Sequence, residues 1–316
     1  VNTPQAIAEA LGHAWTPTFA GQFLDTTLAK KFLHNYAATV HWDWETTSIP
    51  DLDDFSTFLS HSKPSAPGPD GIPYKVWQAA GDIGLNILDE VMYNSIDNKP
   101  RIDNLNDGLW FFAVKKALPT DPINNLNVVR EALELRPLTC KNCDIKIIAG
   151  CTARSTSNVC KNTIHRSQKG FVPGRQMLQN VVDIDTQARI QAIRWQNRRN
   201  NYDFNCRLPD NAVNDLSIIA LFDFFAAFPS VAHQWLFLVM KAIKVPDWIF
   251  DLVSDMYTDV KAYMNVNGSL VLLFRIFGGV LQGCPMSSVI FNWCIDPLLW
   301  YFANLSTVAS VGKVLA

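Results

Sequence analysis

The sequence lacks a basic surplus: its 316 residues carry 27 Lys and Arg against 29 Asp and Glu, a formal charge of −2. With a pI near 6.3, affinity through wholesale phosphate neutralisation is excluded, and any polyanion-binding groove has to be local. There is no basic segment followed by an apolar one at the N-terminus, so no secretory leader is expected. The chain begins Val-Asn-Thr-Pro-Gln rather than with Met, which predicts a piece of a longer reading frame. No uninterrupted apolar run of membrane-spanning length occurs. The most apolar stretch, residues 289–305, is broken by Asn292, Asp296, Pro297 and Asn304. Internal repeats are also missing, which argues against a solenoid or propeller. The seven Cys are odd in number and lack the even spacing of a disulfide scaffold, which predicts a reduced, intracellular setting. None of the six His (13, 34, 41, 61, 165, 233) sits in a ligand motif, and none is assigned a role.

What is abundant is core-forming material: 48% hydrophobic residues, with 10 Trp and 19 Phe. Extensive disorder is excluded by that composition. Thr3-Pro4 reads as the start of a helix to Leu11, with Thr as N-cap and Pro at the first helical position. Amphipathic spacing follows over 25–40. Residues 62–73 are dense in Pro and Gly and read as a loop. Helical spacing returns over 81–95, an aromatic-rich strand over 109–118, and a turn over 119–122. Residues 126–135 read as a short helix, 144–161 as helix, and 174–200 as an apolar-periodic helix.

Residues 200–215 are polar and read as a surface insertion, and 217–222 as a buried strand. Helices are expected over 231–243, 246–257 and 289–305, the last interrupted by Pro297. Between them, 261–277 holds Asn267-Gly268 between apolar runs, a strong hairpin signal. Helices and strands interleave without regular βαβ repetition, so the expected fold class is α+β.

Two stretches carry the chemistry. In Ser217-Ile-Ile-Ala-Leu-Phe-Asp223 an apolar run ends on a carboxylate, with Phe228 five positions later. Some way on comes Gly278-Gly-Val-Leu-Gln282-Gly283-Cys284-Pro285-Met-Ser-Ser. Upstream stand Pro67-Gly-Pro69-Asp70-Gly71-Ile-Pro73, Arg136-Pro137-Leu138 with Asp144-Ile-Lys-Ile-Ile148, and Gly170-Phe-Val-Pro-Gly174-Arg175. In order and spacing these resemble the motifs of the reverse transcriptases of non-LTR (LINE-type) retrotransposons, over residues 64–304. One small departure is Ser287-Ser288 where the family has Ser-Pro.

The resemblance implies the fingers and partial palm of a right-hand polymerase, mostly helical with a small antiparallel sheet. It divides the chain into an N-terminal helical linker region (1–62), a fingers-like region (63–215) and a partial palm (216–316). The implied activity is RNA-templated DNA synthesis, with an RNA template, a DNA primer and deoxynucleoside triphosphates as partners and Mg²⁺ as cofactor. A metal-assisted nucleotidyl transfer needs paired carboxylates to hold two ions. The resemblance gives Asp223 that role, with the Phe224 carbonyl adding an oxygen. It makes Phe228 the ring that excludes a ribose 2′-hydroxyl, and Gln282 and Gly283 contacts to the nucleotide. Arg136, with Lys115 and Lys116 behind it, is the expected triphosphate cation. Pro69, Asp70, Gly71, Gly174 and Arg175 fall on the implied template path, Arg175 serving template or scaffold.

The family's second acidic element, an Ala-Asp-Asp strand-turn, is expected beyond Val314-Leu315-Ala316, as is the thumb. The residues given therefore predict an inactive fragment, with a non-catalytic retroelement remnant or nucleic-acid-binding module as the alternative. Asp296, the one carboxylate after Gln282, reads as structural because it lies on a helix just before a Pro. Cys140-x-x-Cys143 with Cys151 and Cys160 raises a zinc reading, weakened by the core-like Ile145, Ile147 and Ile148 between the pairs. Arg194, Arg198 and Arg199 read as a solvated helix end or a nucleic-acid contact. No specific protein partner and no membrane association are implied.

Overall fold

Thr3 opens the first helix as an N-cap: its Oγ1 accepts the Ala6 N–H at 3.3 Å, and Pro4 takes the first helical position. The structure is a computed structural model and describes residues 3–97, 103–116, 118, 119, 121, 128–200, 223, 224 and 226–308. The expected insertion over 200–215 beyond Asn200, the strand over 217–222 and the beginning of the stretch from 126 lie outside these residues.

Helix α1 (Pro4–Phe19) runs past the expected end at Leu11, through Pro17. What holds it is packing: Ala8, Leu11, Trp15 and Phe19 form a buried stripe at helical spacing. Helix α2 (Thr26–Thr39) is capped by Asp25, whose carboxylate accepts the Thr27 and Leu28 N–H groups. Helix α3 (Leu52–His61) was not anticipated; a reciprocal capping box of Asp51 and Asp54 starts it. Helix α4 (Tyr74–Ile96) begins seven residues before the expected Gly81, where the backbone kinks.

Strand β1 (Gly108–Val114) is the aromatic-rich segment, ending short of the expected 118. A 3₁₀ turn (Ala132–Glu134) and strand β2 (Leu135–Lys141) stand where a short helix was expected, so that expectation is corrected at its described end. The outer place in the sheet is what admits Pro137 there. The expected helix over 144–161 breaks at Thr156 into α5 (Cys143–Ser155) and α6 (Ser157–Thr163). Helices α7 (Leu178–Asn200), α8 (His233–Ala242) and α9 (Asp247–Met256) follow. Strands β3 (Val260–Val266) and β4 (Ser269–Ile276) form the hairpin foreseen at Asn267-Gly268, both turn residues at positive φ. Helix α10 (Ser287–Val308) contains Pro297.

The four strands make one sheet in the order β2-β1-β3-β4. Expected to be antiparallel throughout, the sheet has one parallel pair, with Gly108 opposite Ala262 and Leu109 opposite Tyr263. Among the described residues, strand β2 and helices α5 to α9 lie between β1 and β3 in sequence, which gives the chain the length a parallel crossover needs. Helix α1 crosses one face of the sheet. Phe19 stacks on Phe274 of β4 at 5.3 Å and meets Trp110 of β1 edge-on at 5.0 Å.

Helices α3, α4, α5 and α9 pack together beside the sheet, and α8 joins α2 to α10. A single hydrophobic core, from Trp15 to Cys294, runs through all of these elements. The fold is thus α+β, dominated by helix around a small mixed sheet. Among the described residues no helix is long and apolar enough to cross a membrane.

Candidate nucleotide site

The site is assembled by backbone hydrogen bonds among three separate segments. The turn after Asp223 is closed by the Ser230 N–H to the Ala226 carbonyl at 2.9 Å. It is pinned to the segment leading into the Gln-Gly turn: Val280 N–H donates to the Phe228 carbonyl at 2.9 Å, and Gly279 N–H to the Val231 carbonyl at 2.6 Å. The Gln-Gly turn is pinned in its turn to β2, because the Thr139 N–H donates to the Gln282 carbonyl at 2.7 Å. Gly283 sits at φ +119°, and a Cβ there would lie 2.2 Å from the Thr139 carbonyl oxygen. Only a residue without a side chain permits that crossing. The expectation placed a nucleotide against Gly283; the neighbour observed is the backbone of β2.

These bonds bring together Phe228, Gln282 and Gly283 with β2, which carries Arg136. Asp223 and Phe224 lie just upstream of the pinned turn, and both are exposed. Phe228 is half-buried, its ring edge-on to Phe291 of α10 at 4.8 Å. Arg136 is exposed, opposite Ala113 in the β1–β2 pair.

Lys115 and Lys116 are exposed too but lie beyond the Val114–Leu135 end of that pair. Four residues of strand separate Leu135 from Thr139, about 13 Å. Lys115 is turned toward α1, its Nζ donating to the Leu133 carbonyl at 2.8 Å and standing 5.8 Å above the Trp15 ring.

The turn bearing Pro69, Asp70 and Gly71 packs on the other end of β2, where Asp70 N–H donates to Asn142 Oδ1 at 3.3 Å. Gly174 and Arg175 lie in the loop before α7. The Arg175 fork donates to four carbonyls: His165 at 2.7 Å, Ile164 at 2.8 Å, and Gln168 and Lys161 at 2.9 Å each. Burial lowers its pKa, while the Asp296 charge opposes that shift. Its donors are used in shaping this loop, the scaffold half of what was expected of it.

Several participants were not foreseen. Lys141 is fully buried, with Nζ on the Met256 carbonyl at 3.0 Å, and burial lowers its pKa. The two-residue period of β2 turns Pro137, Thr139 and Lys141 inward, so recognising the strand would have revealed it. Asp144, at the start of α5, is pushed up to about 6 by burial, with the nearby Asp70 charge adding to the rise.

Asp296 is also fully buried. Its two oxygens accept the Tyr36 hydroxyl at 2.5 Å and the His165 N–H at 2.7 Å. Burial raises its pKa to about 6, against those two bonds. His233 is half-buried, its Nε2 at 2.9 Å from the Gly279 carbonyl oxygen. Phe171, inside a motif read only for its Gly and Arg, lies 6.0 Å from Phe228.

Cys140, Cys143, Cys151 and Cys160 are free thiols. Cys151 Sγ meets the Asp54 carbonyl and Cys160 accepts the Trp293 indole N–H. Among the described residues no group of three or more His, Cys, Asp or Glu is placed to hold a metal ion. Asp223 can offer one oxygen ligand, but it belongs to no such group. Arg194 is exposed on α7, while Arg198 and Arg199 lie outside the described side chains.

Residues 129–308 match the profile of the reverse transcriptase (RNA-dependent DNA polymerase) family. Among curated proteins, the "Transposon TX1 uncharacterized 149 kDa protein" of Xenopus laevis is 27% identical over 164 residues, 52% of this chain and 11% of that protein. The "Retrovirus-related Pol polyprotein from type-1 retrotransposable element R2" of Popillia japonica is 31% identical over 93 residues, 29% of this chain and 15% of that one. The chain thus spans a small part of either relative. Since the family profile covers more than half of it, the chain belongs to the reverse transcriptase family, as a reverse transcriptase domain of the non-LTR retrotransposon type.

Proposed function

We propose that this domain carries out RNA-templated DNA synthesis, within a longer protein of the kind its relatives represent. The reading rests above all on one observation. The turn after Asp223, the Gln282-Gly283 turn and β2 are joined by direct backbone hydrogen bonds into one wall, although they lie far apart in sequence. On this wall Phe228 faces the sugar of the incoming deoxynucleotide, and the Gln282-Gly283 turn supports its base. Arg136, exposed on the same strand as Thr139, meets the triphosphate, where fixed positive charge stabilises the developing negative charge. Lys115 and Lys116 stand farther off and serve this role less directly.

The Pro69-Asp70-Gly71 turn and the Gly174-Arg175 loop flank the template path, with Arg175 acting through loop shape. Fingers, palm and the N-terminal helical region, divided near residues 62 and 215, are the units of this reading. Family members generally use divalent metal ions. Here Asp223 and the Phe224 carbonyl supply ligands for Mg²⁺, whose chemistry is charge neutralisation at the transferring phosphoryl group. The described residues do not by themselves complete a paired-metal site, so no catalytic step is assigned to them through the ion.

The test is primer extension on an RNA template with deoxynucleotides and Mg²⁺, on this chain and on the full reading frame that encodes it. Asp223→Ala is expected to reduce extension on the order of a thousandfold. Undiminished extension by that variant would remove Asp223 from the chemistry. Primer–template binding without extension by either protein would favour a non-catalytic nucleic-acid-binding module.

A further inference from the structure

We infer that Phe171 is a specificity-determining residue that acts on Phe228 to set discrimination between deoxyribose and ribose. The inference rests on the nucleotide-site reading above. Phe171 has φ +59°, a left-handed conformation that a bulky side chain rarely adopts. The surrounding contacts hold it there. Asn292 Nδ2 and Gln168 Nε2 both donate to the Gly170 carbonyl immediately before it, at 3.2 and 3.3 Å, and Gln168 Nε2 also donates to Asn292 Oδ1 at 2.8 Å. The Arg175 fork and Asp296 fix the same loop from below.

A strained conformation fixed this firmly, at a ring left 64% exposed, has little to do with burying apolar surface. What the conformation does is aim the ring at Phe228. Phe228 thus has two ring neighbours, Phe291 at 4.8 Å and Phe171 at 6.0 Å. Phe291 comes from α10 and belongs to the hydrophobic packing, so it sets the floor beneath Phe228. Phe171 is the outer wall, and it limits how far the Phe228 ring can swing. A gate that excludes one hydroxyl works only if its ring cannot yield by a fraction of an ångström.

The experiment measures affinity for dGTP and for GTP, in Mg²⁺, on the full chain, by displacement of a fluorescent deoxynucleoside triphosphate. Phe171→Ala is expected to shrink the GTP-to-dGTP ratio of Kd values roughly five- to tenfold, the scale of one lost aromatic contact. Phe171→Tyr, which keeps the ring, should restore the wild-type ratio. Phe228→Ala, as the reference for the gate itself, should shrink it at least as far. The exposure of Phe171 predicts that its variants unfold at the wild-type temperature. A ratio unchanged in Phe171→Ala while Phe228→Ala moves it overturns the role of Phe171 and leaves the site reading standing. A wild-type chain that binds neither nucleotide, or a ratio that Phe228→Ala leaves unchanged, overturns the site reading and this inference with it.

Discussion

Gly283 and Gly71 separate two physical roles of glycine at this site. Both have positive φ, but a Cβ on Gly71 would meet nothing within 4 Å, whereas one on Gly283 would strike the Thr139 carbonyl at 2.2 Å. Ala at position 71 carries only the backbone penalty, roughly 1 kcal/mol. Ala at 283 carries a similar penalty and must also push two backbones apart, stretching the Thr139–Gln282 hydrogen bond. That raises the expected cost to about 2–4 kcal/mol, a large share of a typical folding free energy. Urea titration distinguishes them: Gly283→Ala should move the midpoint well below that of Gly71→Ala, with the slope unchanged. Equal midpoints would mean that the close crossing of β2 by the Gln-Gly turn does not hold in solution.

At the scale of elements, Asp296 ties three segments into one: α10 carries it, α2 reaches it through Tyr36, and the loop before α7 reaches it through the His165 N–H. Its folded pKa, near 6, lies above the ordinary carboxyl value of 3.8. Below pH 3.8 both states hold the proton; between 3.8 and 6 only the folded state does, so folding is favoured at acid pH and that advantage disappears as pH rises through 6. About two units correspond to on the order of 3 kcal/mol. Asp296→Asn removes this titration. The stability of wild type minus that of the variant should therefore fall by about that amount from pH 4 to 7. His165, whose pKa is lowered by burial and by Arg166 and Arg175, titrates in both proteins and cancels. A flat difference would show that the carboxyl is not desolvated.

The same elements indicate what could be read from sequence. The β3–β4 hairpin was legible because Asn-Gly fixes a turn locally, and the α1 start because Thr-Pro does the same. β2 was missed because a Pro at its centre suits only an outer strand, and that place depends on the distant β1. Asp223, Phe228 and the Gln-Gly turn stood out as motifs, but the Phe171–Phe228 contact joins residues far apart in sequence. No period or propensity encodes such a contact.

The whole molecule is held by one core that ignores the span of the family match. Residues 129–308 include β2, β3 and β4 but omit β1, the strand that lies between β2 and β3. They also omit α1, whose Phe19 covers Trp110 and Phe274 and whose Trp15 meets Phe112, and α3 and α4, which supply Phe55, Leu88 and Met92. Each of those fully buried side chains contributes about 1.5–3 kcal/mol of burial, so a few of them equal a typical folding free energy. A protein cut to 129–308 would present unpaired strand edges at β2 and β3 and the bare apolar faces of α5 and α9. It should aggregate, or persist without near-ultraviolet circular dichroism while binding a hydrophobic dye. The full chain should instead unfold in a single urea transition, monitored by its Trp fluorescence and far-ultraviolet signal together. A sharp, reversible transition from the 129–308 protein would show that the N-terminal 128 residues are an accessory layer; two separated transitions in the full chain would show that the core is divided.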